Sequence, residues 1–294
     1  PLYSSAASDV YKRQGQADAA TFVVDDLGDA SDSNAGDGNC DTGAGVCTLR
    51  AAVEETNATP GADEIDLTGV SGTITLGSEA SYDNALSVVD SLTIMGPGAR
   101  DLTIDASGNT MRHFVFGSAA TAEYSISGLT LTGGNPSSGM GGAINLGSGD
   151  TLTIDSCAIT ANTNTGTTSR GGALAVSGAG SELIVLNSTI SDNTLPGTQS
   201  WAGGIYVTAN GTLTVKNSTI ANNSTSGGTI YGKAGGILLY TNTGDTATAT
   251  ILNSTIVKND ANYGGAIATQ GDGTETVTVQ LSLIHISEPT RLRR

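Results

Sequence analysis

The sequence predicts an all-β fold: a single-stranded right-handed parallel β-helix with a short N-terminal helical cap. Three observations predict it. A doubled glycine recurs at Gly141-Gly142, Gly171-Gly172, Gly203-Gly204, Gly235-Gly236 and Gly264-Gly265, at intervals of 30, 32, 32 and 29 residues. Between these pairs lie TLTIDSCAITAN, ELIVLNSTISDN, TLTVKNSTIANN and TATILNSTIVKN, which align into columns. Leu152, Leu183, Leu213 and Ala249 form one column, and Ile154, Val185, Val215 and Ile251 form the next at a spacing of two. After a break come Ile159, Ile190, Ile220 and Ile256, then Asn162, Asn193, Asn223 and Asn259 three residues further on. Finally, 41 glycines without low-complexity order would suggest disorder, but here the apolar residues fall in short alternating runs.

Alternation of period two means strands, and a repeat of this length holds several of them joined by turns. One such unit cannot bury its apolar face. Stacked units can, because each column then runs unbroken through the core. Small changes of interval are absorbed in projecting turns. Leucine-rich repeats would show a denser leucine pattern, and propeller blades a longer unit. Asparagine at a fixed register suits a turn, where it tolerates left-handed backbone and bonds the main chain, and stacked amides can bond one another along the axis.

Taken in chain order, the first segment is PLYSSAASDVYKRQ, residues 1–14. It and the closing residues 282–294 resemble translations of sequencing-adapter DNA, and both are set aside from fold reasoning. They carry Lys12, Arg13, Arg291, Arg293 and Arg294, five of the twelve basic residues. Without them the net charge moves from −16 to −19, with 7 basic against 26 acidic residues. Nucleic acid and anionic membranes need a positive patch, so neither is an expected partner. No apolar run is long enough to span a bilayer as a helix. Residues 15–19 have the form of a signal-peptide remnant, with Ala17-Asp18-Ala19 as a small-x-small cleavage site, so an extracellular or cell-surface location is expected.

Residues 20–66 read as a cap. Leu49 to Asn57 is the one good helical stretch, with Thr48 as N-cap and Ala58-Thr59-Pro60-Gly61 as the stop. A helix placed there plugs the open end of the first coil, which otherwise shows unpaired strand edges and bare core. Cys40 and Cys47 bracket the loop DTGAGV and are expected to pair as a local disulfide in an oxidising compartment, while Cys157 is a buried small hydrophobe. Residues 67–281 are the β-helix proper, stopping in mid-repeat.

These motifs resemble known families. The GGA(I/L) and I-x-x-N pairs resemble the GGAI and FxxN repeats of polymorphic outer-membrane proteins, with isoleucine for phenylalanine. SLTIMGPGARDLTIDASGNTMRHFVF and YSISGLTLTGGN are similar to the first coils of bacterial right-handed β-helix proteins. CTLRAAVEETNATPGADEIDL resembles the CSLREA-type N-terminal domain: Cys47, Leu49, Arg50, Ala52 and Asn57 match, while Thr48 and Ala51 depart from it. The resemblance implies a secreted or surface-displayed protein with a structural, adhesive or passenger role. Its partners would be carbohydrate or the surface of a host or neighbouring cell.

The candidate sites are few. The acidic loop DDLGDASDSNAGDGNCD offers Asp25, Asp29, Asp32, Asn34 and Asp37 as calcium ligands, since hard oxygens at this density suit a cation taking six to eight of them. The alternative is a polar surface loop pinned by the disulfide. An enzymatic alternative is a polysaccharide lyase or glycoside hydrolase, because pectate lyases and polygalacturonases share the fold. Hydrolysis needs two carboxylates about 5–10 Å apart. Asp155, however, aligns with Leu186, Lys216 and Leu252, and Asp192 aligns with Ala161 and Asn222. No catalytic residue is therefore assigned, although projecting turns could unite Asp245, Asp260 and Asp272. The Thr151/Thr153, Thr212/Thr214 and Thr248/Thr250 pairs suggest an ice- or surface-binding array, interrupted by Glu182 and Ile184.

Overall fold

The computed structural model describes residues 19–77, 85–117, 121–147, 149–226, 233–280 and 282–284. Residues 1–14, most of the expected signal remnant and residues 285–294 lie outside them. Among the described residues, the chain cycles through three parallel sheets of nine, eight and seven strands. Each coil lays one strand on the nine-stranded sheet, then one on the eight-stranded and one on the seven-stranded sheet, before starting the next. This is a parallel β-helix, and its pairing registers are those of the sequence columns. Leu152, Leu183, Leu213 and Ala249 are successive partners, as are Ile154, Val185, Val215 and Ile251. Ile159, Ile190, Ile220 and Ile256 stack in the eight-stranded sheet. All these side chains are buried in one continuous core, each contributing on the order of 1.5–3 kcal/mol for the larger apolar residues.

The corners between sheets are built by three side-chain ladders. Asn162, Asn193, Asn223 and Asn259 are buried and pass a hydrogen bond from each Nδ2 to the next Oδ1, at 3.0, 2.8 and 2.9 Å. Left-handed backbone was expected at this column; it falls one residue earlier, on Ala161, Asp192, Asn222 and Lys258. The chain turns its corner there, and the following amide then enters the interior. A second asparagine column, Asn187, Asn217 and Asn253, is left-handed and exposed, and it ends on Asp155. A serine ladder lies between: the backbone N–H groups of Cys157, Ser188, Ser218 and Ser254 donate to the hydroxyls of Ser188, Ser218, Ser254 and Ser282. The doubled glycines serve close approach. A Cβ on Gly172 would collide with the carbonyl oxygen of Gly203 on the next coil, and Gly171 has φ +72.

The sheets reach into both end segments. Thr21–Val23 and Asp63–Asp66 are strands of the nine-stranded sheet, with the helix Leu49–Ala58 between them. At the other end, Leu283–Ile284 pairs with Thr255–Val257 and Ser282 takes its place in the serine ladder, so the register runs past residue 281. The reason is local. Ser-Leu-Ile offers the same hydroxyl and strand residues as the repeat.

His113 sits at a corner, fully buried, with Nε2 3.1 and 2.9 Å from the carbonyls of Ile104 and Thr132 and with Nδ1 lacking a partner. Burial is the main cause that pushes its pKa down from 6.5 to about 4, against those two backbone bonds. The unfolded chain therefore binds this proton from pH 6.5 downward, while the folded chain binds it only near pH 4. Stability from the neutral ring is complete above pH 6.5 and is lost as pH falls through that window. At pH 5 the loss is about 2 kcal/mol. Urea midpoints of the native chain and of His113→Gln should converge as pH falls from 7 to 5. Parallel midpoints would show that the histidine is not the titrating group.

Candidate functional site

Helix Leu49–Ala58 forms because Thr48 caps it: its hydroxyl accepts from Ala51 N–H at 3.1 Å and donates to the Ala30 carbonyl at 2.6 Å. The residues singled out in the CTLRAAVEETN segment all have structural work. Leu49 and Ala52 are in the core, and Cys47 is bonded to Cys40. Arg50 makes a two-bond ion pair with Asp29, at 3.0 and 2.8 Å, with the side chains 3 % and 8 % exposed. Asn57 bonds the edge strand Leu86–Val88 of the seven-stranded sheet, donating to the Ser87 carbonyl and accepting from Val89 N–H.

Each of the five candidate calcium ligands is engaged in a hydrogen bond within the cap. Asp25 accepts from Cys47 N–H, and Asp29 is held by Arg50 and by Gly77 N–H. Asp32 accepts from the backbones of Asn34 and Asp41, and Asn34 donates to Asp37, which also accepts from Asn39. The bonds from Asn34 and Asn39 hold the Asp37 carboxyl below its ordinary range. Each carboxylate thus fixes a turn of the loop, and among the described residues no three metal-ligating acids, histidines or cysteines gather. The density of acids was legible in sequence; their separate directions were set by the backbone N–H groups they cap.

The turn aspartates Asp245, Asp260 and Asp272 also divide. Asp245 and Asp272 lie on consecutive coils in the turns leading into the nine-stranded sheet, where Thr274 N–H donates to the Asp245 carbonyl and Asp272 N–H to that of Thr241. Asp260 is at a different corner, following the asparagine ladder. A pocket of about 370 Å³ opens elsewhere, lined by Asp63, Ser91, Thr93, Glu123, Tyr124 and others. Asp63 Oδ2 and the Tyr124 hydroxyl, on inward-facing side chains beside it, are buried without a hydrogen-bond partner. Burial foremost, then the nearby Asp90 charge, pushes Asp63 up, against the bond from Ala20 N–H.

A more extensive site lies outside the core, and sequence reading missed it. On the outer face of the seven-stranded sheet, Asn145, Ala175, Tyr206, Leu238 and Ala268 stack on successive coils, with Thr208, Tyr240 and Gln270 beside them. Tyr206 and Leu238 form a second, small apolar cluster against which Met140, Trp201 and Tyr240 pack. The Trp201 and Tyr240 rings are 4.8 Å apart, and the Arg170 guanidinium lies 4.8 Å over Trp201 and 5.9 Å over Tyr206. Burial pushes the Tyr206 hydroxyl up to about 12, so it remains a neutral donor at any ordinary pH.

The edge of this face is a column of its own. Arg170 bridges to Met140 on one side and Trp201 on the other. Ala234 bridges to Gly264, and Gly203 N–H donates to the Ala234 carbonyl, which puts Lys233 beside Trp201 and Tyr263 beside Lys233. The Lys233 ammonium is 4.2 Å over the Tyr263 ring. Four successive coils therefore present cation, aromatic, cation, aromatic. The signal was present in sequence just before each doubled glycine, but the variable intervals hid the register.

A parallel solenoid with an apolar core, laddered corners and an aromatic–cationic outer edge defines a β-helix of the repeat class. The family model for the right handed beta helix region matches residues 81–243 and 115–285, and the chain belongs to that family. No curated protein and no solved structure matches the chain. The fold itself is shared by polysaccharide-cleaving enzymes and by surface proteins, so function must be argued from the site.

Proposed function

We propose that this chain is an exported, surface-acting β-helix whose role is binding rather than catalysis, as an adhesive or passenger module. The observation that carries the reading is the outer edge at Arg170, Trp201, Lys233 and Tyr263: cations stacked over aromatic rings on a partly exposed edge, in a protein otherwise strongly acidic. Anchors of this composition are typical of recognition surfaces. The Cys40–Cys47 bridge and the small-x-small segment support an oxidising, extracellular setting. No helix among the described residues is long and apolar enough to cross a membrane.

One observation favours a second reading, a glycoside hydrolase. Asp63 and Glu123 both border the one pocket, from strands of the nine-stranded sheet separated by one other, with Asp63 turned inward and Glu123 turned outward. The test is incubation with Ca²⁺ and a panel of pectins, alginates and xylans, reading reducing ends and unsaturated products. No turnover is expected. Turnover that vanishes in Asp63→Asn or Asp272→Asn would replace the binding reading with an enzymatic one.

A further inference from the structure

We propose that the chain is matured by cleavage of the Ala19–Ala20 peptide bond, and that the α-ammonium freed at Ala20 forms an ion pair with the buried carboxylate of Asp63. The cleavage rests on the exported reading above; the ion pair is a further property of the fold. Asp63 stands out by its position. It lies in the inward column of the nine-stranded sheet, where Leu92, Tyr124, Leu152 and Leu183 follow it on successive coils. The residue is 2 % exposed, and a carboxylate taken that far out of water needs a matching charge or a full set of donors. It has neither. Oδ1 accepts from Ala20 N–H at 2.8 Å, while Oδ2 is buried with no partner. Protonation does not mend the site, because a hydroxyl at Oδ2 would lack an acceptor.

A mid-chain amide is a poor donor for such a site. A peptide nitrogen carries one hydrogen and no charge, and that of Ala20 already gives its hydrogen to Oδ1. An α-ammonium at the same nitrogen has three hydrogens and a positive charge, enough for both carboxylate oxygens. The fold holds this nitrogen in place. The Ala20 carbonyl accepts from Glu64 N–H at 2.8 Å, and Thr21, Phe22 and Val23 then pair with Glu64, Ile65 and Asp66. Ala19, one residue earlier, is exposed. The acids around the nitrogen, Asp63, Asp90 and Glu64, all favour its charged form.

A cleavage signal falls at the same bond. Ala17-Asp18-Ala19 has the small-x-small form read by a signal peptidase, which cuts directly after the third of these residues. Hydrolysis adds water across the bond. The hydroxyl goes to the Ala19 carbonyl carbon and the hydrogen to the Ala20 nitrogen. The new carboxylic acid of Ala19 then gives up its proton, and the Ala20 amine takes one up. The two observations are independent: one is a local run of small residues, the other a buried carboxylate 43 positions further on.

The experiment has two arms. In the first, the chain from Gly15 onward is exported to a bacterial periplasm behind the charged and apolar parts of a signal peptide. Mass spectrometry of the purified protein should find Ala20 as its first residue. In the second, chains with fixed starts at Ala20 and at Gly15 are unfolded in urea, each with and without Asp63→Asn. At pH 6 the Ala20 start should raise the folding equilibrium constant about tenfold over the Gly15 start, and Asp63→Asn should abolish the difference. N-acetylation of the Ala20 start restores an amide and should cost the same factor, so the outcome does not depend on how well Asp63→Asn folds. The same coupling should raise the Ala20 amine about one unit above its ordinary value of about 7.7–8.0, read from the pH dependence of its acylation by an anhydride. Because the folded amine holds its proton longer than the unfolded one, the advantage is complete below about pH 7.7 and lost as pH rises through about 9. A first residue other than Ala20, or an equal effect of Asp63→Asn on both starts, would overturn the assignment. Polysaccharide turnover would sink the binding reading and move neither measurement.

Discussion

Asn193→Ala should lower stability by roughly 3–5 kcal/mol, because it strands several buried polar groups at once. The Asn193 side chain accepts from the backbone N–H and the Nδ2 of Asn162, at 2.9 and 3.0 Å. It donates to the Ile159 carbonyl and to Asn223 Oδ1, at 3.0 and 2.8 Å. Alanine fills none of these positions, and the site is too enclosed for bulk water to replace them, as the column is at most 1 % exposed. A buried group without a partner costs about 1–3 kcal/mol, and the losses fall on both neighbouring coils. The control is Asn217→Gly in the exposed ladder, where glycine keeps the left-handed turn and water replaces the lost bond. That change should cost within about 1 kcal/mol. Urea titration of both variants decides it. Equal losses would mean that burial of the inner ladder is not what gives it its strength.

Arg50→Ala is expected to cost about 3–5 kcal/mol, and to do so in the cap. Removing the guanidinium leaves the Asp29 carboxylate 8 % exposed and without its counter-charge, while Gly77 N–H still donates to it. Coils contact only their neighbours, so the loss is expected to open the N-terminal segment before the later coils. Hydrogen exchange should accelerate across residues 20–66, with residues 150–225 little changed. Combining Arg50→Met with Asp29→Asn removes both charges and should recover part of the loss, since a neutral side chain of similar bulk no longer strands an ion. Uniform acceleration along the whole chain would contradict a cap that unfolds on its own.

These expectations show where the sequence was informative. The fold was legible because a solenoid converts each sequence column into a physical stack. Leu183 meets Leu152 and Leu213 in space because all three occupy the same phase of the repeat. The helix was legible through Thr48 and the Pro60-Gly61 stop, both of them local signals. The acidic loop was legible as acidic and illegible as geometry. Asp25, Asp32 and Asp37 bond to backbone groups whose directions depend on how the loop closes over Arg50 and the disulfide.

Sequence by itself determined the quantities that repeat, namely the coil length, the inward residues of each strand and the asparagine register, and with them the position of the one helix. It could do so because these follow from nearest-neighbour stacking and local turn chemistry. Only the tertiary structure decided what gathers outside the core. Arg170, Trp201, Tyr206, Lys233, Tyr240 and Tyr263 come from four coils, and although they recur with the repeat, their residue types change from coil to coil, so no column of like residues marked them. They meet because parallel coils superpose turns of unequal length at the one point where the doubled glycines bring adjacent backbones together.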